Sequence, residues 1–482
     1  MKIQAVPPEA GDGKPLARTA AITALSNIAL PLTSLISGPI LAHALPPDKR
    51  GIMTGAVVPA FVLMFLANMG LPEATTYAVA KLRQDPRTVF LRAASISIPL
   101  GILAAALFWV GAPYLYSDSM QEAVPLARKI ILFLPALMLV IILRFTVNGM
   151  RRYRAVNTER VLTPVLRLLG FVVLVALGSL TAATAAVSQM GATVLGGCFL
   201  FWTLLRFGPR VAERLPTERH LTRTLAGYGA RGWGAVLGNL VNWRLDQLVL
   251  LALISQTQLG LYVVAVHFSE IPSTAVNAVR NVIFAEAAHR NERDLVARAA
   301  RSVILLVGLS SLVAALLSPL LIRILFGKAY MPALGMALVL LVATIPFCLE
   351  QILAAGLFAM KLPGLRSISQ LLAAVVTVVG LFTLCPHLGG MGAAITSLAA
   401  YTVNCGLAIY QFTRKTGLGV REVTIPRAAD VRWVTTKMLG LGRSIMRKLR
   451  RRPAPPAPDL GPDDDPTNPL EHPTMMPEDY ES

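Results

Sequence analysis

The 482-residue chain is 55% hydrophobic and 15% charged, with a formal charge of +19. That balance excludes an ordinary soluble domain, and apolar runs of membrane-crossing length recur as far as about Phe412. In a soluble protein such a charge points to nucleic acid, but here the partner it implies is the anionic inner leaflet. The last stretch, Pro453–Ser482, holds eight acids and no Lys or Arg, so the chain up to Arg452 carries +27.

In chain order, the polar segment Met1–Arg18 has no apolar core beside a small-residue cleavage site and reads as a cytoplasmic tail. Twelve spans follow, at about 19–44, 51–80, 89–115, 125–149, 158–179, 182–206, 224–254, 260–287, 299–326, 333–358, 366–385 and 390–412. Loop charges set the orientation. Lys81, Arg83, Arg87, Arg151, Arg152, Arg154, Arg210, Arg214, Arg219, Arg290, Arg293, Arg298 and Lys361 fall in alternate loops, and most of the intervening loops are nearly bare. Both termini are therefore expected in the cytoplasm of a multi-pass cell-membrane protein. The turn PPDKRG at Pro46–Gly51 dissents, with Lys49 and Arg50 on the outer side. After Thr413, residues 414–452 read as a basic amphipathic segment on the inner membrane surface, and 453–482 as a disordered acidic, Pro-rich tail.

An internal repeat runs through the spans. Gly51 and Asn68 match Gly260 and Asn277 at an offset of 209 residues; Met150, Gly170, Ala183 and Gly196 match Met360, Gly380, Ala393 and Gly406 at 210. Six spans separate the copies, so both have the same orientation, and parallel repeats place a substrate site between two lobes. The expected fold is an all-α polytopic membrane protein of about twelve transmembrane helices in two parallel six-helix lobes, residues 19–206 and 223–413, joined by a cytoplasmic linker at 207–222. Nine prolines interrupt the spans; ordinary tolerance in membrane helices competes with a gating bend at Pro272.

The polar positions of spans seven and eight stand out. Tyr228, Gly232, Ala235, Asn239, Asn242 and Asp246 recur at steps of three and four, as do His267, Glu270, Thr274, Asn277 and Asn281. A charge at the bilayer centre costs at least about 2.5–3.5 kcal/mol, so Asp246 and Glu270 must face protein or a wet cavity. No GxxxxGK[ST], HExxH or Cys pair is present; Cys198, Cys348, Cys385 and Cys405 stand singly as buried thiols. With short outer loops as well, neither catalysis nor a metal nor a cofactor is expected, which leaves transport.

LDQLVLLALISQTQLGLYVVA, LIRILFGKAYMPA at Leu321–Ala333 and LPPDKRG together resemble the oligosaccharide flippases of the multidrug/oligosaccharidyl-lipid/polysaccharide exporter superfamily, over about Arg18–Phe412. The resemblance implies two lobes around a central cavity, alternating access, and a polyprenyl-diphosphate-linked glycan moved to the outer face. Polysaccharide polymerase and glycosyltransferases would be the accompanying partners. The lipid II branch has arginines in its first helix and the drug-antiporter branch an acid there; span one has neither after Arg18. A cation-coupled exporter of small organic molecules is the alternative.

The membrane charges agree with a diphosphate. Arg167 and Arg244 each lie about ten residues, roughly 15 Å, inside their spans. Arg144 and Arg280 are nearer the cytoplasmic face, where snorkelling competes with ligand binding. A guanidinium fork meets phosphate oxygens bidentately. The candidate substrate site is thus Arg244, Arg167, Arg144 and Arg280 with Asn239, Asn242 and Asn277. Asp246, Glu270, Glu350 and His267 are candidates for charge balance or proton or cation coupling. Arg244 pairing with Asp246 or Glu270 stays open, as do Glu350 pairing across the lobes and His267 as a hydrogen-bonded core residue.

Overall fold

Apolar side chains on the outside of the helices define the medium around this protein. In a computed structural model that describes residues 33, 36–208, 220–273, 293–360, 363–427 and 430, every long element is helical. The first helix occupies residues 36–44 (α1). Next come α2 (Pro47–Ala67), α3 (Leu71–Ala80), α4 (Pro86–Leu115), α5 (Val124–Ile130), α6 (Leu134–Gly149), α7 (Tyr153–Ala176) and α8 (Ala182–Phe207). Beyond the linker lie α9 (Leu221–Leu253), α10 (Gln256–Ser269), α11 (Arg293–Leu325), α12 (Ala333–Ala359), α13 (Pro363–Leu388), α14 (Gly390–Thr416) and α15 (Val420–Thr424). Met1–Arg427 is one compact unit and Ala428–Ser482 a second. The N-terminal tail, most of the linker, the amphipathic segment from Val431 and the acidic tail lie outside the described residues.

Leu107 and Val110 on α4 are 66% and 70% exposed, and Leu309 and Leu316 on α11 are 65% and 73% exposed. Side chains of this kind face outward without cost only where the surroundings are hydrocarbon. Eight described helical stretches are long and apolar enough to cross a membrane. Of the other four expected spans, two carry several charges and two are only partly described. Span one is only partly described, α7 carries Arg154, Glu159, Arg160 and Arg167, and α9 carries Arg223, Arg231, Arg244 and Asp246. Span eight is interrupted, since α10 ends at Ser269 with Glu270 in a turn, and residues 274–292 lie outside the described set.

Other boundaries move too. Span two is two helices, not one. The Asn68 amide donates to the Met64 carbonyl and its Oδ1 accepts from Ser97, while Met69 and Gly70 adopt left-handed φ of 45° and 72°. Gly70 suits that conformation; Met69 is strained in it and is held by its surroundings. The fourth span starts earlier than read, through a 3-10 turn at Asp118–Ala123 that leads into α5 and α6. The turn between spans seven and eight is shorter than SQTQL, because α10 begins at Gln256 with Ser255 as its N-cap. Helices α4, α7 and α12 run on through Pro99, Pro164 and Pro346, so those prolines are tolerated without breaking the element.

The repeat has a direct structural expression. A Cβ on Gly51 would collide with the carbonyl oxygen of Gln256, and a Cβ on Gly260 with that of Pro47. Pro47 and Gln256 are themselves 209 residues apart, so the contact is reciprocal, as in a two-fold interface. Only glycine lets α2 and α10 approach backbone to backbone here. At the other matched turn, the Met150 N–H bonds the carbonyls of Thr146 and Asn148, and the Met360 N–H those of Gly356 and Phe358. Both pairs of acceptors keep the offset of 210.

Around the Gly51–Gly260 contact the two copies are stitched together further. Tyr330 donates to the Leu45 carbonyl at 2.7 Å, and the Ser117 N–H to the Leu251 carbonyl at 2.9 Å. Lys49 pairs with Glu122 at 2.8 Å, and Gln256 donates to the same carboxylate at 3.2 Å. Arg50, which the charge pattern reads as a loop residue, is 4% exposed. Its guanidinium donates to the Gly38 carbonyl and sits 5.8 and 5.6 Å from the ring centres of Phe326 and Tyr330. The dissenting turn thus contributes one buried and one paired cation, and little free charge.

Candidate functional site

Three polar clusters lie within the helices. In the first, Tyr262 of α10 donates to Asp246 Oδ2 of α9 at 2.9 Å, and its hydroxyl is 3.4 Å from Ser397 Oγ on α14. Tyr262 is 1% exposed and Ser397 6%, so this hydroxyl is the buried partner that the Asp246 carboxylate needs. Asp246 and Tyr262 are eight residues either side of Ile254, at the turn of an antiparallel helical hairpin. Residues equidistant from such a turn lie at equal depth, and that counting would have found the pair.

The second cluster joins α6 and α7. Arg144 Nε and Nη2 donate to the two Glu159 oxygens at 2.9 and 2.8 Å, and Thr163 donates to Glu159 Oε1 at 3.0 Å. Glu159 is fully buried. Arg144, offered by the sequence either to a diphosphate or to the membrane surface, therefore already has a bidentate carboxylate partner. Glu159 was not among the expected site residues, although it too is symmetric with Arg144 about the turn at Arg151–Arg152.

The third joins α12 and α13. Glu350, 2% exposed, lies 3.4 Å from Arg366 Nε, and the Arg366 guanidinium sits 5.5 Å from the Phe358 ring centre. Among the described residues, a pairing of Glu350 with an arginine is thus found within one repeat copy. Arg167 is half-buried on α7. His267 is half-buried with Nδ1 2.6 Å from the Val263 carbonyl, a hydrogen-bonded residue of α10. Glu270 is exposed at the end of that helix.

Asn277 and Arg280 lie outside the described residues, as do the side chains of Asn239, Asn242 and Arg244 on α9. The structure therefore brings together Asp246 with Tyr262, Arg144 with Glu159, and Glu350 with Arg366, and these form three clusters, not one. Among the described residues no three His, Cys, Asp or Glu side chains could hold a metal ion. Of the four free cysteines, Cys348, Cys385 and Cys405 are buried and Cys198 is exposed, contrary to the expectation of four buried thiols.

Long helices with apolar exteriors and carboxylate–cation pairs kept inside define a multi-pass membrane protein. The sequence pattern of the polysaccharide biosynthesis protein family matches residues 16–284, more than half the chain, and the chain belongs to that family. Its fold is similar to that of solved transporter structures, some of them described as members of the MOP superfamily. A structure titled lipid II flippase MurJ, inward closed conformation, superposes with a TM-score of 0.67 at 11% identity, over 84% of this chain and 89% of that one. An inward-facing multidrug-resistance MATE transporter of that superfamily gives 0.63 at 14% identity, over 81% and 98% of the two chains. The eukaryotic MATE transporter AtDTX14 gives 0.57 at 14%, over 83% and 98%. No curated protein matches the sequence.

Proposed function

We propose that this protein is a flippase that carries a polyprenyl-diphosphate-linked oligosaccharide from the cytoplasmic to the outer face of the cell membrane for surface polysaccharide synthesis. It does so by rocking two six-helix lobes about a central cavity. The observation that carries the reading is the reciprocal Gly51–Gly260 contact, where the two copies meet backbone to backbone at the end that the loop charges assign to the outside. A closed outer end and a repeat-related seam are what alternating access requires of one of its two states. Family membership supports polysaccharide chemistry over small organic molecules.

In this reading Arg167 and Arg244 hold the diphosphate, and Asp246 and Glu270 balance the empty cavity. Two guanidinium groups in a low-dielectric cavity repel each other until an anion or carboxylates offset them. Arg144 stays with Glu159 and shapes the lobe. Both termini face the cytoplasm. The test is surface glycan in a deletion strain complemented with Arg244→Ala, Arg244→Lys and Arg167→Ala, alongside membrane abundance of each variant. Arg244→Ala should lower export at least about tenfold at normal abundance, with Lys rescuing in part because it keeps the charge but loses the fork. Normal export from Arg244→Ala, or its disappearance from the membrane, removes the site assignment. Unaltered glycan in the deletion strain together with lost drug efflux would favour the exporter reading.

A further inference from the structure

Loop arginines in a membrane protein are ordinarily accounted for by topology alone. Three of them here converge on one place. The turn after α3 and the turn after α6, 65 to 70 residues apart in sequence, close around a cleft of about 500 Å³ lined by Arg83, Gln84, Asp85, Arg151, Arg152 and Phe207, among others. Both turns are built with strain. Arg83 and Arg151 adopt left-handed φ of 53° and 57°, a region that residues with a Cβ rarely occupy. Arg152 is laid flat against Phe207 of α8, its guanidinium carbon 4.4 Å from the ring centre.

Among the described lining residues, three arginines face one acid. The lining acid, Asp85, turns its Oδ2 to Thr88, accepting from the backbone N–H at 2.9 Å and from the hydroxyl at 2.6 Å as the N-cap of α4. Among the described residues, no carboxylate comes within ion-pair distance of Arg83, Arg151 or Arg152. Helix α7 starts at the cleft with Arg152 as its N-cap residue and no side chain capping it, so its dipole adds to the positive potential. Three forks and an open helix start are donors suited to a group with several anionic oxygens, and the Phe207 ring holds the Arg152 guanidinium in place.

We propose that this cleft is a phosphate-binding site, occupied by the headgroup phosphate of an anionic lipid in the cytoplasmic leaflet. The loop charges put the cleft at that membrane surface, and basic pockets between helices on that side suit headgroups carrying one or two phosphates. The site lies within the first repeat copy, apart from Arg167 and Arg244, and stands without the transport reading. A soluble phosphate shares the chemistry, and the test separates the two sources.

The experiment is native mass spectrometry of the purified full-length protein, released from nanodiscs containing phosphatidylglycerol, cardiolipin or phosphatidylcholine. Three variants are compared: Arg83→Gln/Arg151→Gln/Arg152→Gln, the same three positions changed to Lys, and Arg154→Gln. The wild type should retain the anionic lipids and not phosphatidylcholine. The triple Gln variant should lose at least about tenfold in apparent affinity, a difference of the size charge-assisted bidentate contacts provide. The triple Lys variant keeps every topological charge and should fall between, since it loses only the forks. Arg154→Gln removes a charge from the first turn of α7, outside the cleft lining, and should bind as wild type. Inorganic diphosphate that binds the wild type where no lipid is retained would support the phosphate site and assign it to a soluble source. Undiminished lipid retention in the triple Gln variant, or equal retention of phosphatidylcholine, overturns the proposal.

Discussion

The hairpin of α6 and α7 and the hairpin of α12 and α13 are copies of one design with opposite charge. In the first, the cation Arg144 is on the leading helix and the anion Glu159 on the returning one; in the second, the anion Glu350 leads and the cation Arg366 returns. Their backbones agree down to the bonds that cap Met150 and Met360. The side-chain pairs do not superpose, since the positions 210 residues after Arg144 and Glu159 hold Ala354 and Ser369. The two hairpins share the bonds at their helix ends and differ in their buried pairs. Each copy still solves the same problem, the cost of a lone charge in a low-dielectric interior, with a partner on the adjacent helix.

The glycines give the largest way to break the comparison. Gly51 and Gly260 form the seam between the copies, whereas Gly406, the counterpart of Gly196, has open space where a Cβ would go. Gly51→Val or Gly260→Val must push α2 and α10 apart, which costs more than the roughly 1–3 kcal/mol of ordinary overpacking because backbone, not a flexible side chain, is in the way. Gly406→Ala should cost no more than about 0.5 kcal/mol. Thermal midpoints of the purified variants measure the contrast. A Gly260→Val protein that melts with the wild type would mean the seam is not closed as described.

The ion pairs come next. Glu159 is fully buried and accepts three hydrogen bonds, so Glu159→Gln should destabilise by about 3–5 kcal/mol, the cost of breaking a buried pair from one side. Glu350→Gln should cost less, because the Arg366 contact is longer, 3.4 Å against 2.8 Å. Replacing Arg144 and Glu159 together by Met should recover most of the loss, as apolar residues of similar volume often replace buried pairs without penalty. If the double variant is as unstable as Glu159→Gln alone, the pair does something beyond offsetting its own burial.

How much of this was legible in the residues follows from what each feature depends on. Helices, spacing and the repeat depend on backbone and on residues such as Gly51 and Gly260 that no other residue can replace, so a constant offset revealed them. The break at Asn68–Gly70 was hidden because the apolar pattern runs through it without a gap, and the Asn68 side chain is held there by Ser97 on α4. Asp246 and Glu350 were visible as charges in apolar helices. Their partners Tyr262 and Arg366 were not, since partnership depends on which faces meet; counting outward from a turn recovers Asp246–Tyr262 and Arg144–Glu159, but Glu350–Arg366 is not equidistant from its turn. Arg83, Arg151 and Arg152 were read as topological charges because the cleft they share exists only once the chain is folded.

The smallest effect expected is also the one that resolves the odd loop at Pro46–Gly51. Its two adjacent cations have opposite situations: Lys49 has a 44% exposed side chain paired with a Glu122 side chain that is 56% exposed, whereas Arg50 is buried against two rings and a carbonyl. An exposed pair gains little, about 0–1 kcal/mol, because water and salt screen it. Lys49→Gln should therefore move the thermal midpoint by no more than a degree or two, and the shift should vanish in 1 M salt, where the screening length is about 3 Å. Arg50→Gln removes a desolvated cation–π contact of about 2 kcal/mol together with a buried hydrogen bond, so its shift should be larger and should persist in salt. Equal shifts for the two variants would mean that Arg50 is not enclosed as described, and that the turn at Pro46–Gly51 carries two free positive charges.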